Sequence, residues 1–282
     1  MARVYHFGAC DLLDALNRSA ILREYELASL VDKEYPSLGT SLMSLYAQPG
    51  SLAERMHHSM STIIPYDYKR NSVYLEMTKF PYFKYLKENV KPGDIMVINF
   101  SSEIYTKFSN ASETFTLLPQ FREVEYVEWV RKEILSLNHC HLDVDDDKCT
   151  GPTRELLTDF TNNMKEIFGN RIVLVNTHIG DKFILSDSNI KQYKASIHDI
   201  PYYHNMRFVH DPKNEKYIGR IIDVMVKQFR RLHGYELPIV EVDQSFIYID
   251  PNHRWGRSPL HLTHETNDVV SLRILDELRK IK

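Results

Sequence analysis

One cysteine near the start of the chain and a histidine-rich stretch near its end carry the residue types that acyl chemistry needs. Arg3 to Asp11 reads RVYHFGACD, an apolar run that stops at Gly8 and is followed two residues later by Cys10. A thiol just past a first strand stands at the carboxyl edge of a sheet, where open α/β folds bind ligands. A helix starting near Asp11 would bring free N–H groups and a dipole that favour a thiolate and an oxyanion. A cysteine in an apolar run also reads as a small core residue. Residues 250–268, DPNHRWGRSPLHLTHETND, hold His253, His261 and His264 directly before a closing helical pattern. Imidazole is the natural general base near neutral pH, and spacing alone does not choose among the three.

Two more polar sets stand at the ends of buried runs. One is Asn99 with Ser101, Ser102 and Glu103; the other is Asn176 with Thr177, His178 and Asp181. Both should face the edge that holds Cys10, where amides and backbone N–H groups can hold an oxyanion; loop capping uses the same residue types. The stretch 138–149, NHCHLDVDDDKC, invites a metal reading and fails it. Asp143, Asp145 and Asp147 fit an EF-hand loop, but Lys148 stands where its Gly belongs and Arg154 where its Glu belongs. Its two cysteines are too far apart for a zinc pair. A solvated acidic loop and no metal are expected.

The elements that must position these groups follow from periodicity. Residues 3–8 read as a short buried strand, and 11–35 carry Leu12, Leu13, Leu16, Ile21 and Leu22 near helical spacing. Residues 41–50 read as a strand or loop closed by Pro49-Gly50, and 51–64 and 81–89 as short helices. The run after Pro92-Gly93, Ile95 to Ile98, is that of a central parallel strand. Helices are predicted over 122–137, 151–169 with Gly169 as stop, 214–232 and 264–282; strands over 171–176, PIVEV and SFIYI. Alternating strands and helices give the fold class: α/β, three layers α/β/α around a mostly parallel sheet.

The chain has 282 residues, 43% hydrophobic and 26% charged, which fits one domain over 1–282. The irregular region 182–212, rich in Tyr, His, Asp and Pro, is taken as an insertion or lid. A net charge of −3 supplies no basic excess to neutralise phosphates, so no nucleic-acid partner is expected. No stretch approaches a transmembrane span, and polar residues interrupt the N-terminus too early for a signal peptide. Three cysteines suit a reducing, cytoplasmic setting.

The ordered blocks Gly8-Ala-Cys10 with Asp14, Glu26-Leu-Ala-Ser-Leu30, Ile98-Asn-Phe-Ser-Ser-Glu103 and Trp255-Gly-Arg-Ser-Pro-Leu-His261 span nearly the whole chain. Together they resemble the SGNH-hydrolase superfamily, and within it a family from bacterial surface and capsular polysaccharide biosynthesis clusters. The resemblance implies Cys10 at the nucleophile's place and His261 at the base's place. It implies oxyanion or substrate contacts from Gly8, Asn99, Ser102, Glu103, Asn176, His178 and Trp255. Ser258 stands where the superfamily has the acid that orients the imidazole, so Asp243, Asp250 or a backbone carbonyl would take that role, or His261 would work unassisted. Leu13 and Ile104 stand where that family has arginines, and another expected arginine is missing near Glu24 or Tyr25, which changes the pocket's anion-binding character. The implied activity is acyl, above all acetyl, transfer to a surface polysaccharide or its precursor, or ester hydrolysis on it. No bound cofactor is implied; acyl-CoA is a possible co-substrate, and the partners are a carbohydrate and a small acyl donor. The other class the departures favour is a non-catalytic glycan- or nucleotide-sugar-binding protein on the same fold.

Overall fold

The computed structural model describes residues 1–8, 10–28, 42–61, 80–104, 107–116, 129, 138–140, 144–145, 148–177, 180, 182–185, 189–192, 212–253 and 261–281. Strand β1 (Arg3–Phe7), helices α1 (Cys10–Leu16) and α2 (Ser19–Leu22) and strand β2 (Glu26–Leu27) open the chain. Helices α3 (Leu42–Leu45), α4 (Ser51–Ser61) and α5 (Tyr82–Asn89) lead to β3 (Ile95–Ile98) and a 3-10 turn at Ser101–Ile104. The short strands β4 (Lys107–Ser109), β5 (Thr114–Thr116), β6 (Asn138–Cys140), β7 (Val144–Asp145) and β8 (Lys148–Cys149) come next. Helix α6 (Gly151–Phe168), strand β9 (Ile172–Asn176) and the antiparallel pair β10 (Lys182–Leu185) and β11 (Asn189–Gln192) follow. Helix α7 (Pro212–His233), strand β12 (Ile239–Glu241), a 3-10 turn at Gln244–Phe246 and helix α8 (His264–Ile281) close the chain.

The central sheet runs β12-β9-β3-β1-β2, all parallel. Counted among themselves, its strands stand in the order 2-1-3-4-5, so the winding reverses between β1 and β3 and a crevice opens beyond their carboxyl ends. The three inner strands β1, β3 and β9 bury both faces by alternation. Tyr5, Phe7, Met96, Ile98, Ile172 and Leu174 enter the core under α4 to α7, while Val4, Ile95, Val97, Val173 and Val175 enter the core under α1, α2 and α8. Helix α6 answers with Leu157, Phe160, Met164 and Phe168 on one stripe. The three-layer α/β fold expected from the alternation is the fold observed.

Three local expectations are corrected. The helical pattern after β1 breaks at Arg18, whose extended backbone restarts the chain as α2, and it returns as the edge strand β2 at Glu26, whose N–H donates to Ala2 O. The stretch 41–50 contains a short helix, Leu42–Leu45. SFIYI is a 3-10 turn followed by an extended stretch that makes only isolated bridges, Ile249 with Phe183 and with Leu262. Most of the predicted helix over 122–137, residues 193–211 of the predicted lid, and Asp143, Asp147 and Asp181 lie outside the described residues. Among the described residues no helix is long and apolar enough to cross a membrane.

Candidate active site

Strand register decides which residues meet. Phe7 sits beside Ile98 and Ile98 beside Leu174, so β1, β3 and β9 deliver Gly8, Asn99 and Thr177 to one edge. Gly8 leaves β1 at φ +150°, and a Cβ there would lie 2.5 Å from Asn99 Oδ1. Glycine is therefore what lets the Asn99 side chain close over the end of β1.

Asn99 uses that space to build a buried network. Its Nδ2 donates to Asp11 Oδ2 at 2.9 Å and to Thr177 Oγ1 at 3.2 Å. Its Oδ1 accepts the Ser101 N–H at 2.9 Å. The Ser101 hydroxyl lies 2.7 Å from Asp11 Oδ1 and 2.5 Å from Asn99 Oδ1, with one proton to give. Thr177 Oγ1 reaches Asp11 Oδ2 at 3.2 Å. Burial pushes the Asp11 carboxyl up; the hydrogen bonds from Ser101, Asn99, the Leu12 N–H and Thr177 offset part of that. The three central strand ends are thus tied to the first turn of α1 through one carboxylate.

That network fixes the roles of several sequence-predicted residues. Both hydrogens of the Asn99 amide are taken by Asp11 and Thr177, so Asn99 organises the edge from inside it. Ser102 is fully buried, and Glu103 is buried with its carboxylate accepting the Leu42 N–H. Asn176 points to the opposite face, where its Nδ2 donates to Asp223 Oδ1 on α7 at 3.1 Å. Lys227 holds the other oxygen of Asp223 at 2.7 Å. His178 and Trp255 lie outside the described residues.

Cys10 opens α1, directly before Asp11 and one helical turn before Asp14. Cys149 is a different kind of thiol. It is buried, and burial, then the charge of Glu103, push it up to about 11, so it stays protonated and unreactive.

The histidines come together through a closed loop. The Asp250 N–H donates to His261 O at 2.8 Å, the Thr263 N–H donates to Tyr248 O at 2.8 Å, and Ile249 bridges Leu262. This zips 248–250 against 261–263 and sets His253 over His261, ring centroids 4.0 Å apart and planes 21° apart. His253 Nε2 lies 3.9 Å from Asp14 Oδ2 on α1. Thr263 fixes the far side of the loop: its hydroxyl accepts the Thr266 N–H at 3.2 Å and caps α8. His264 is drawn aside, its Nδ1 2.8 Å from Arg18 Nη2.

Of the two acids considered for orienting His261, Asp250 turns its carboxylate onto the Asn252 N–H at 2.8 Å. Asp243 accepts the Ser245 N–H at 2.7 Å at the start of its 3-10 turn. An acid that faces the histidine pair is Asp14, on the His253 side. Sequence reasoning did not single out Asp11 as the hub, since an Asp after a Gly turn reads only as first-turn helix charge. It did not join Asp14 to His253, because 239 residues separate them and only the loop closure unites them. Among the described residues no cluster of His, Cys, Asp and Glu could hold a metal ion. Comparison of the chain with protein-family models, with curated proteins and with solved structures finds no match.

Proposed function

We propose that the protein is an acyl-transfer enzyme of SGNH-like type, with Cys10 as nucleophile and His261 as base. It moves an acyl group, above all acetyl, onto a surface-polysaccharide carbohydrate or its precursor, or hydrolyses such an ester. His261 takes the Cys10 thiol proton and the thiolate attacks the acyl carbon. The C–S bond of an acyl-enzyme forms as the donor's leaving alcohol or thiol departs with the proton from His261. A sugar hydroxyl, deprotonated by His261, then attacks the acyl-enzyme and regenerates the thiol; water in its place gives hydrolysis. An acyl-CoA donor and a cytoplasmic setting belong to the same reading.

One observation carries it. His261 stands in a pair that faces Asp14, and Asp14 is one helical turn from Cys10 at the carboxyl edge of β1. Because the Asn99 amide is saturated, it serves as a positioning residue, and the oxyanion is assigned to backbone N–H groups where β1 runs into α1.

The test is turnover of p-nitrophenyl acetate and of acetyl-CoA with a panel of sugar acceptors. Cys10→Ala and His261→Ala should each lower it by about 100-fold or more, and acyl-enzyme should accumulate in the parent alone. Turnover unchanged in both variants overturns the reading. Sugar or nucleotide-sugar binding without turnover of any donor favours the non-catalytic binding protein, the class that the saturated Asn99 and Ser258 in the acid's place would suit.

A further inference from the structure

Two imidazoles stacked 4.0 Å apart at 21° cannot hydrogen-bond each other, because their N–H vectors lie in the ring planes. They interact as charges instead. Protonating both would place like charges a few ångströms apart, whereas one proton on the pair meets no such repulsion. The pair is also asymmetric. Asp14 Oδ2 lies 3.9 Å from His253 Nε2, within ion-pair range; the His253 side chain is 14% exposed and that of Asp14 38%, so solvent reaches this contact from the Asp14 side. The other acid of the turn, Asp250, is directed at its own Asn252 N–H. Arg18, beyond the end of α1, is occupied by Asp268 Oδ1 at 3.3 Å and by His264 Nδ1. The first turn of α8 also carries Glu265, whose charge acts on His264 and Arg18, and α1 carries Asp11, held in the Asn99 network.

We propose that Asp14 and His253 keep His261 unprotonated at neutral pH. The stacked pair takes up one proton, the imidazolium resides on His253 opposite Asp14, and His261 is left as the neutral ring able to accept a proton. Asp14 and His253 are positioning residues in this scheme. They replace, by charge, the orienting carboxylate that would be expected at Ser258. The inference deepens the acyl-transfer reading and rests on it for the use made of His261, while its measurement needs no turnover.

The experiment is an NMR titration of the full chain with isotope-labelled histidine, in the parent, His253→Gln and Asp14→Asn. Signals among the 13 histidines are assigned by substitution, and buried His233 reports an intact fold in each variant. In the parent, His253 should take its proton first and His261 only at distinctly lower pH, as two coupled macroscopic steps. His253→Gln should raise the His261 midpoint by about one pH unit or more, a tenfold change in its protonation equilibrium. Asp14→Asn should lower the His253 midpoint. Where turnover is found, its acid limb should move to higher pH in His253→Gln. A His261 midpoint unmoved by His253→Gln, or a His253 midpoint unmoved by Asp14→Asn, overturns the proposal. Shifted midpoints without turnover on any donor would sink the acyl-transfer reading and leave the shared proton standing. Turnover with an unmoved His261 midpoint would do the reverse.

Discussion

At the scale of single residues, Gly8 and Asp11 act through the same neighbour. Asn99 can close over the end of β1 only because Gly8 has no Cβ, and it can stay buried there only because Asp11 and Thr177 take its amide hydrogens. Gly8→Ala would set a methyl carbon 2.5 Å from Asn99 Oδ1 and 3.0 Å from its carbonyl oxygen, at a backbone angle that side chains rarely adopt. The expected loss is about 2 kcal/mol or more, read as the shift of the urea unfolding midpoint; an unshifted midpoint would refute the packing account. Asp11→Ala removes the acceptor that Asn99, Ser101 and Thr177 share and should cost about 3 kcal/mol. Because burial raises the Asp11 carboxyl, the folded protein binds its proton more readily than the unfolded chain does. This group's contribution is therefore fullest below the ordinary value of 3.8 and falls as pH rises through the raised one. The positions of Asn99 and Thr177 at strand ends were legible from the apolar runs before them. Their use was not, since whether an amide faces solvent or a buried carboxylate depends on a partner supplied by another strand.

The elements themselves were legible where their pattern is long. β3, α4, α5, α6, β9, α7 and α8 follow from unbroken apolar runs or helical spacing, and Gly169 stops α6 with φ +60° as its sequence position suggests. Short pieces were not, because two or three residues of strand take their conformation from what they pair with. Helix α4 shows how far a local element can depend on a distant one. Its N-terminal N–H groups are capped by Glu113, whose carboxylate accepts from Gly50 at 2.6 Å, Ala53 at 3.1 Å and Leu52 at 3.3 Å. Burial pushes this carboxyl up. The N–H groups of Ala53 and Gly50, the Asn110 amide and the Leu52 N–H together outweigh it, and the net direction is down. A lowered carboxyl stabilises the fold fully above the ordinary value of 4.5, and that stability is lost as pH falls through the lowered value. Glu113→Gln should cost about 1–2 kcal/mol at neutral pH and flatten the acid side of the stability profile. Denaturant titrations at neutral pH and in acid check both; a variant as pH-sensitive as the parent would show that Glu113 is not the cap that matters.

Across the whole molecule the two edges of the sheet carry opposite chemistry, and the winding explains why. Every helix that returns the chain to a central strand ends at the amino edge, so orphan helix carbonyls collect there and invite cations. Arg171 donates to Ile167 O at 3.4 Å, and to Asp94 O at 2.7 Å; Lys165 donates to His233 O at 2.7 Å; Arg3 reaches Asn89 O and the Asp94 carboxylate. The carboxyl edge holds the acids and histidines of the candidate site. His233 sits on the cationic edge, fully buried, stacked on Phe229 with centroids 5.8 Å apart and beside Tyr235. Burial, then the Lys165 charge, lower its proton affinity, and the Gly169 carbonyl opposes them in part. The folded protein therefore keeps His233 neutral at a pH where the unfolded chain, titrating near the ordinary 6.5, binds a proton. The unfolded state then holds more protons, so stability is whole above that pH and declines as pH falls below it, by at most about 1.4 kcal/mol per pH unit for this one group. His233→Phe keeps the ring against Phe229 and removes the proton site. Its unfolding midpoint should fall less than the parent's between neutral and mildly acid pH, whereas equal losses would show that His233 does not carry the acid sensitivity.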